Sequence, residues 1–341
     1  MYTLKAMQSY IDRGLVRVTK HATLDWYIYN YTSKVQYNRA WDAVTLASRG
    51  LILTGDGEVI ARPFPKFFNL GEMENQAIPN EPFEVYDKLD GSLGILYWQE
   101  SEPFIATRAS FQSEQALFAT QVLKSKYPSV IPKLDKTKTY LFEIIYPENR
   151  IVVDYEGLED IILIGIVDNA TGKEEALVDI GFPMVQRFDG LNDIHTLQAL
   201  ATSNKEGFVI KYASGFRVKV KFEEYVRLHK VLTNLSKLSV WEALSNGEDF
   251  MVLLEQVPDE YYQWARATKS AFETKYAELE AKAKQDFKVL ATRKETAMYF
   301  MTCEHPSILF HMLDEKPYEP VIWKYLKPKY EKLHVERGTL S

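Results

Sequence analysis

Six consecutive residues, Asp87-Lys88-Leu89-Asp90-Gly91-Ser92, carry the sharpest chemical signal in the chain. Lys88 ends a run in which Phe83, Val85 and Asp87 alternate with Glu84, Tyr86 and Lys88, the period of a strand. Its amine is then held against a tight Asp-Gly turn. A lysine is ordinarily protonated near neutral pH and attacks nothing. Neighbouring cations and partial burial lower its pKa and turn it into a nucleophile that works through a covalent intermediate. Gly91 lets the backbone approach a ligand closely. A solvated lysine before a hairpin would read the same way, so the companions of Lys88 decide.

Phe216-Arg217-Val218-Lys219-Val220-Lys221-Phe222 alternates strictly, which puts Arg217, Lys219 and Lys221 on one face of a strand and the apolar residues on the other. Three like charges in a row repel unless an anion lies over them, and a nucleotide phosphate is the obvious candidate; a solvated face is the alternative. Glu143 stands in Tyr140-Leu141-Phe142-Glu143-Ile144-Ile145, and Glu206 opens Glu206-Gly207-Phe208-Val209-Ile210-Lys211. A carboxylate in such a strand is costly unless it is paired, hydrogen-bonded or bound to a metal. Glu suits Mg²⁺ beside phosphates, where one or two protein carboxylates are enough. A structural salt bridge to Arg150 or Lys211 is the alternative for each. Arg49 and the segment Arg62-Pro63-Phe64-Pro65-Lys66-Phe67-Phe68-Asn69 add cations and aromatics upstream.

These residues need strands to hold them. Ser48 to Leu53 and Glu58 to Ala61, joined through Thr54-Gly55-Asp56-Gly57, predict a hairpin with Asp-Gly where positive φ is required. Further predicted strands are Phe83–Lys88, Leu93–Trp98, Tyr140–Tyr146, Ile161–Val167, Phe208–Tyr212 and Phe216–Phe222. A helix is expected from Ser113 to about Lys126, with Ala116, Leu117, Thr120 and Leu123 on one face and Pro128 ending it. After about Lys230 the character changes. From Asp259 to Leu290 an apolar or small residue recurs at Tyr261, Trp264, Thr268, Phe272, Tyr276, Leu279, Ala283, Phe287 and Leu290, one stripe of a helix. A second amphipathic stretch covers Lys294 to Cys303, followed by short pieces bounded by Pro306, Pro317 and Pro328. The expected organisation is a mainly β domain over residues 1–235 and an all-helical domain over 236–341.

The chain has 341 residues, room for two or three domains at roughly 100–200 residues each. A 46% hydrophobic and 26% charged composition is ordinary for a globular protein. With a net charge of −6, contact with a phosphate backbone must come from a local cluster of cations rather than bulk charge. One cysteine, Cys303, excludes an intramolecular disulfide and a cysteine-rich zinc site. Cys303, His305 and His311 make a metal cluster on paper only. No apolar leader or membrane-length run is visible, so a soluble, cytoplasmic protein is expected. No Ser/His/Asp arrangement and no G-x-x-x-x-G-K-[ST] loop occurs.

In this order, Lys-x-Asp-Gly, Phe-Glu-Ile, Glu-Gly-Phe-Val and Lys-Val-Lys resemble the motifs of the covalent nucleotidyltransferases, which include DNA ligases, RNA ligases and mRNA capping guanylyltransferases. Ser48-Arg49-Gly50, Lys66-Phe67-Phe68-Asn69-Leu70, Ser113-Glu114-Gln115-Ala116-Leu117 and Asn149-Arg150-Ile151-Val152 make the chain most similar to the RNA ligase 1 family, the phage tRNA-repair type. The resemblance covers roughly residues 25–230. It implies an α+β fold: a nucleotidyltransferase (ATP-grasp-like ligase) domain of antiparallel sheets with flanking helices. It implies that Lys88 becomes adenylylated, that Arg49 and Lys66 hold the pyrophosphate end of ATP, and that Lys219 and Lys221 contact the α-phosphate. Asp90 and Gly91 belong to the nucleotide-binding turn, Glu143 lies near the ribose and the metal, and Glu206 works with the metal, Mg²⁺ or Mn²⁺. Ile164 and Val209 sandwich the adenine. Arg108 stands where relatives carry a lysine, keeping the charge with a different donor geometry. The pair Glu248-Asp249 is a candidate for a second hydrated metal.

The resulting expectation is an ATP-dependent RNA ligase of RNA or tRNA repair. It would join RNA 5′-phosphate and 3′-hydroxyl ends through lysyl-adenylate, as a monomer served by an end-healing kinase or phosphatase. The helical domain would select RNA ends, with Trp241, Trp264, Lys282, Lys284 and Lys288 as candidates. A DNA ligase or capping-type guanylyltransferase would usually continue into an OB-fold, whereas this chain continues into helices. A catalytically silent RNA-binding relative needs no strand-end nucleophile.

Overall fold

A computed structural model of the chain describes residues 4–73, 77–191, 194, 197–200, 204–232, 235–255 and 261–328. They fall into two compact units, Met1–Leu232 and Thr233–Ser341. The first unit runs α1 (Leu4–Asp12), β1 (Val16–Lys20), β2 (Trp26–Tyr31), α2 (Ser33–Asn38), α3 (Ala43–Ala47), β3 (Arg49–Thr54), β4 (Val59–Ala61) and β5 (Phe68–Asn69). It continues through β6 (Phe83–Lys88), β7 (Ser92–Gln99), β8 (Glu102–Ala106), α4 (Glu114–Lys126), β9 (Lys138–Ile145) and β10 (Asp160–Asp168). It closes with β11 (Arg187–Phe188), β12 (Gly207–Tyr212), β13 (Arg217–Lys221) and α5 (Glu223–Leu232). Three sheets result, ordered β1-β2-β3-β4, β10-β9-β7-β8 and β11-β6-β12-β13-β5. Every pairing is antiparallel except β13 with β5. The expected hairpin is β3–β4, with Gly57 at φ +88° and the Thr54 hydroxyl accepting the Glu58 amide.

The second sheet is buried on both faces, which is why its strands read as nearly unbroken apolar runs. Leu96, Phe142, Ile144, Ile161 and Leu163 pack with Ala119, Val122 and Leu123 of α4. Ile95, Tyr97, Leu141 and Val167 pack the other way, against Ile28, Ile52 and Ala61 of the first sheet. Glu143 shares the face of Leu141 by strand period and pairs with Leu93 at the end of β7. The helix expected at 113–126 is present and capped by Ser113, but its buried face is Ala116, Ala119, Val122 and Leu123. Leu117, expected on that face, is 58% exposed. Thr120 does turn inward as expected, its hydroxyl accepting the Ile105 amide of β8 at 2.9 Å, and Ala119 and Val122 supply the rest of the buried arc.

The third sheet positions the chemistry. Val85, Phe208, Ile210, Tyr212, Val218, Val220 and Phe222 fill one core with Tyr225 of α5. The opposite face is polar, and its register sets three rows: Lys88–Gly207–Lys221, Tyr86–Val209–Lys219 and Glu84–Lys211–Arg217.

The second unit contains α6 (Lys237–Ser245), α7 (Phe250–Glu255), α8 (Tyr262–Asp286), α9 (Arg293–Phe300), α10 (Pro306–Leu313) and α11 (Glu319–Leu326); the last four share a core of Ala283, Phe300, Ile308, Leu309 and Ile322, and α6 packs on α8 and α11. The stripe from Trp264 to Ala283 is covered as its spacing predicts. The expected start at Asp259 lies outside the described residues. The helix stops at Asp286, short of Leu290, because Phe287 turns to φ −70°, ψ 112°. Among the described residues no helix is long and apolar enough to cross a membrane.

Gly207 sits at φ +146°, and a Cβ there would run into the Val220 carbonyl. Gly215 is also at positive φ, but with nothing within 4 Å of that position. Gly207→Ala should therefore destabilise by ~1–3 kcal/mol more than Gly215→Ala, read as a lower denaturant midpoint at unchanged m. Equal losses would mean that the β12–β13 contact tolerates the methyl group.

Candidate active site

Lys88 ends β6 with its Nζ 2.6 Å from Oε1 of Glu206, and Lys221 Nζ lies 3.2 Å from the same oxygen. Glu206 is 3% exposed, so two ammonium groups converge on one buried carboxylate. Burying any of these charges alone would be unfavourable; together they are mutually compensated. The row Lys88–Gly207–Lys221 makes this possible, because Gly207 lets the end of β12 close onto β13. On the reverse face of the same strand ends, Lys205 Nζ lies 3.2 Å from Asp87 Oδ2. The alternatives of a salt bridge from Glu143 or Glu206 to Arg150 or Lys211 are not what forms. Arg150 pairs with Asp154, and Lys211 with Glu174 and Glu84.

Glu143 faces this cluster. Burial pushes its carboxyl up to about 7; Lys88 and Arg49 pull it down, while Glu206 and Asp90 push it further up. Gly91 closes the turn over it: a Cβ there would stand 2.5 Å from the Ile144 carbonyl oxygen and 3.2 Å from the Glu143 side chain. Asp90 is 3% exposed and turned into the protein. Its Oδ2 accepts the amides of Val152 and Val153 at 2.7 and 2.8 Å, and its Oδ1 accepts the Tyr225 hydroxyl at 2.8 Å. Its own amide donates to the Tyr155 hydroxyl at 2.7 Å. Ser92 donates to Asn149, which donates to the Ile144 carbonyl. The turn after Lys88 is thus fixed from several directions.

The upstream cations are held by aromatic faces. Lys66, 5% exposed, has its Nζ 5.5–5.8 Å from the ring centroids of Phe68, Tyr31 and Trp41. Arg108 lies 5.5 Å from the Tyr31 ring and donates to its hydroxyl at 3.3 Å. Arg49 and Lys219 share the ring of Phe67, at 5.8 and 5.2 Å. A π-face attracts a cation without cancelling its charge. Ile164 in β10 and Val209 in β12 are half-buried residues of two different sheets.

Arg217 departs from the sequence reading. It shares the face of Lys219 and Lys221, but Glu174 neutralises it through a bidentate contact of 2.6 and 3.2 Å, and its guanidinium stacks on Phe64. No anion over Arg217 is needed. In the second unit, Asp249 accepts the Met251 amide and Glu248 accepts from Asn246, both local contacts. Trp241 donates to the Trp323 carbonyl, and Lys282 and Lys284 pair with Asp286 and Glu280. Among the described residues no three His, Cys, Asp or Glu side chains converge as a metal cluster. Sequence reasoning missed Tyr31, Trp41, Tyr155, Glu174 and Tyr225; of these Tyr225 lies four residues beyond Lys221, in the first turn of α5.

A family model described as RNA ligase matches residues 47–226. A relative from Thermovibrio ammonificans is 30% identical over 199 residues, 53% of this chain, which spans about half (52%) of that relative's length. An RNA ligase of Rhodothermus phage RM378 is 25% identical over 382 aligned positions, covering 85% of each chain. A solved archaeal ATP-dependent RNA ligase is 16% identical, covering 87% of this chain and 85% of its own, at a TM-score of 0.47.

Glu143 generates a pH test. The fold keeps its carboxyl protonated up to about 7, against an ordinary value of 4.5 in the unfolded chain. Between those values the folded state binds the extra proton, so raising pH removes stability. Glu143→Gln escapes that loss: its stability relative to the parent should climb across the window by ~2–3 kcal/mol and then level off. Denaturant melts at about pH 4 and about pH 8 check this; parallel curves would show that the carboxyl ionises normally.

Proposed function

The chain belongs to the RNA ligase family, and from that premise we propose that it is an ATP-dependent RNA ligase working through a lysyl–AMP intermediate on Lys88. The observation that carries the reading is a strand-end lysine whose amine shares one buried carboxylate oxygen with Lys221. Lys88 is the nucleophile, and Glu206 Oε1 is the acceptor within reach of its proton. Nζ attacks the α-phosphorus of ATP, an N–P bond forms, and the bond to pyrophosphate breaks. An oxygen of an RNA 5′-phosphate then attacks the same phosphorus, and the N–P bond breaks as Lys88 regains its proton. Finally an RNA 3′-hydroxyl attacks the activated 5′-phosphorus and AMP leaves.

The surrounding residues supply position and charge, the main needs of phosphoryl-type transfer. Lys219, Lys221 and Arg108 stabilise charge at the α-phosphate. Arg49 and Lys66 receive the pyrophosphate end, Ile164 and Val209 bracket the adenine, and Asp90 and Gly91 fix the nucleophile's turn. A divalent cation, Mg²⁺ or Mn²⁺, would neutralise phosphate charge when bound. Glu206 and Glu143 fit it: two carboxyl groups facing the nucleophile, one of them ionising near neutrality, are enough beside phosphates. The second unit would choose among RNA ends, and an end-healing kinase or phosphatase would prepare them; RNA repair in the cytoplasm by a monomer is the setting proposed.

Lys88→Ala should abolish retention of label from α-labelled ATP and joining of 5′-phosphorylated RNA, yet retain joining of RNA already 5′-adenylylated. A Lys88→Ala protein that still forms an acid-labile AMP adduct would falsify the assignment. The two faces of β13 should separate as well. Lys219→Ala should slow adenylylation by orders of magnitude with an almost unchanged melting temperature. Val218→Ala, in a filled core, should lose roughly 1–3 kcal/mol of stability and keep its rate when assayed cold. Matching melting losses would make Lys219 structural.

A further inference from the structure

The cations at Arg49 continue outward to the edge of the first sheet. β1 is an edge strand of that sheet, and Arg17 in it is exposed. Arg17 pairs with Asn30 of β2, and Asn30 pairs with Arg49 of β3. The second pairing depends on a bulge: Tyr29 meets Leu51 and Asn30 meets Arg49, so Gly50, at φ +97°, is the extra residue. A bulge re-aims the side chain beside it. Arg49 thereby joins a row Arg17–Asn30–Arg49 on the face of Ile28 and Ile52, which packs toward the second sheet. Thr19, two residues beyond Arg17 on the same face, donates to the Ala109 carbonyl at 2.9 Å. A Cβ on Gly50 would stand 3.1 Å from Arg108 Cα. Arg17, Arg49 and the loop of Arg108 therefore meet at one end of the sheet, with the neutral Asn30 between the first two.

We propose that Arg17 binds a phosphate of the 5′-phosphorylated RNA strand that takes AMP from Lys88, and that the row Arg17–Asn30–Arg49 marks where that strand leaves the nucleotide site. The inference rests on the ligase reading of Lys88. In displacement at phosphorus the entering and leaving atoms stand roughly in line. Pyrophosphate leaves the α-phosphorus opposite Lys88 Nζ, toward Arg49 and Lys66. In the next step an oxygen of the RNA 5′-phosphate bonds to the same phosphorus as the N–P bond breaks. It too must enter opposite Nζ, through the place that pyrophosphate vacated. The rest of the RNA strand then runs away from Lys88, and beyond Arg49 the row leads to Arg17. Neighbouring strands lie ~4.8 Å apart, so the two arginine backbones stand about 10 Å apart across Asn30. ATP ends at Arg49 and Lys66, whereas an RNA strand carries a further phosphate with each nucleotide. Arg17 thus serves the strand and not the nucleotide.

The test uses the full chain and separates the steps. Protein charged with α-labelled ATP and freed of nucleotide is mixed with 5′-phosphorylated RNA, and passage of label to RNA is followed over a range of RNA concentrations. Arg17→Ala should raise the RNA concentration for half-maximal transfer about tenfold at low salt. Its limiting transfer rate, and its own charging by ATP, should stay within about twofold of the parent, at the parental melting temperature. The fall of log affinity with log salt should become shallower by about 0.7, the share of one phosphate on a single strand. Arg17→Lys, which keeps the point charge, should recover most of the affinity and the slope. Arg13→Ala, which removes another exposed cation, should move neither quantity. Parental half-saturation and salt slope in Arg17→Ala overturn the inference, and so does an equal loss in charging by ATP. A parent protein that forms no lysyl–AMP overturns the proposed function itself, which is a different result.

Discussion

One oxygen organises the first unit. Oε1 of Glu206 accepts two ammonium groups, and both lysines reach it only because β6, β12 and β13 hold the register Lys88–Gly207–Lys221. Much of the fold maintains that row. The apolar faces of β12 and β13 are anchored in a core with Tyr225, and Gly207 removes the side chain that would hold the strands apart. The turn after Lys88 is pinned through Asp90 to the segment after β9 and to α5. A lysine on an unsupported loop would lack this redundancy.

The protein holds its cations in two different ways. Arg217 and Lys211 meet Glu174 and lose their field locally, so they serve as mortar between sheets. Lys66, Arg108, Arg49 and Lys219 lie against rings of Tyr31, Trp41, Phe68 and Phe67. Aromatic support attracts a cation through the ring quadrupole and fixes where it stands. Arg49 and Lys219 share one ring and Lys66 and Arg108 another, so these cations are gathered together within a chain of net charge −6.

Strand period made the third sheet legible: it separated Val218 and Val220 from Lys219 and Lys221, and it placed Lys88 at a strand end beside a tight turn. The apolar runs of β9 and β10 were equally plain, because strands covered on both faces have little room for polar residues. Position along the strand was also enough to mark Glu143 and Glu206 as costly. Partnership was another matter. Nothing near Arg217 announces Glu174, which arrives from 43 residues away. The cage of Lys66 is assembled from Tyr31, Trp41 and Phe68, and the first two lie in the stretch before β3, where short amphipathic elements gave no clear period. The face of α4 was legible only in part: Ala116, Thr120 and Leu123 turn inward as expected, but Ala119 and Val122 complete the buried arc in place of Leu117.

The paired charges at the ends of β6 and β12 also bear on how the chain finds this arrangement. In sequence order the two segments read Asp87-Lys88 and Lys205-Glu206, so the front of the sheet joins Lys88 to Glu206 and the back joins Asp87 to Lys205. Side chains alternate with a period of two, so a slip of one residue moves every side chain of β6 to the opposite face. Lys88 would then meet Lys205, and Asp87 would meet Glu206, turning two attractions into two repulsions. The same four residues therefore act as a proofreading device for strand pairing, disfavouring the shifted sheet before any ligand is involved.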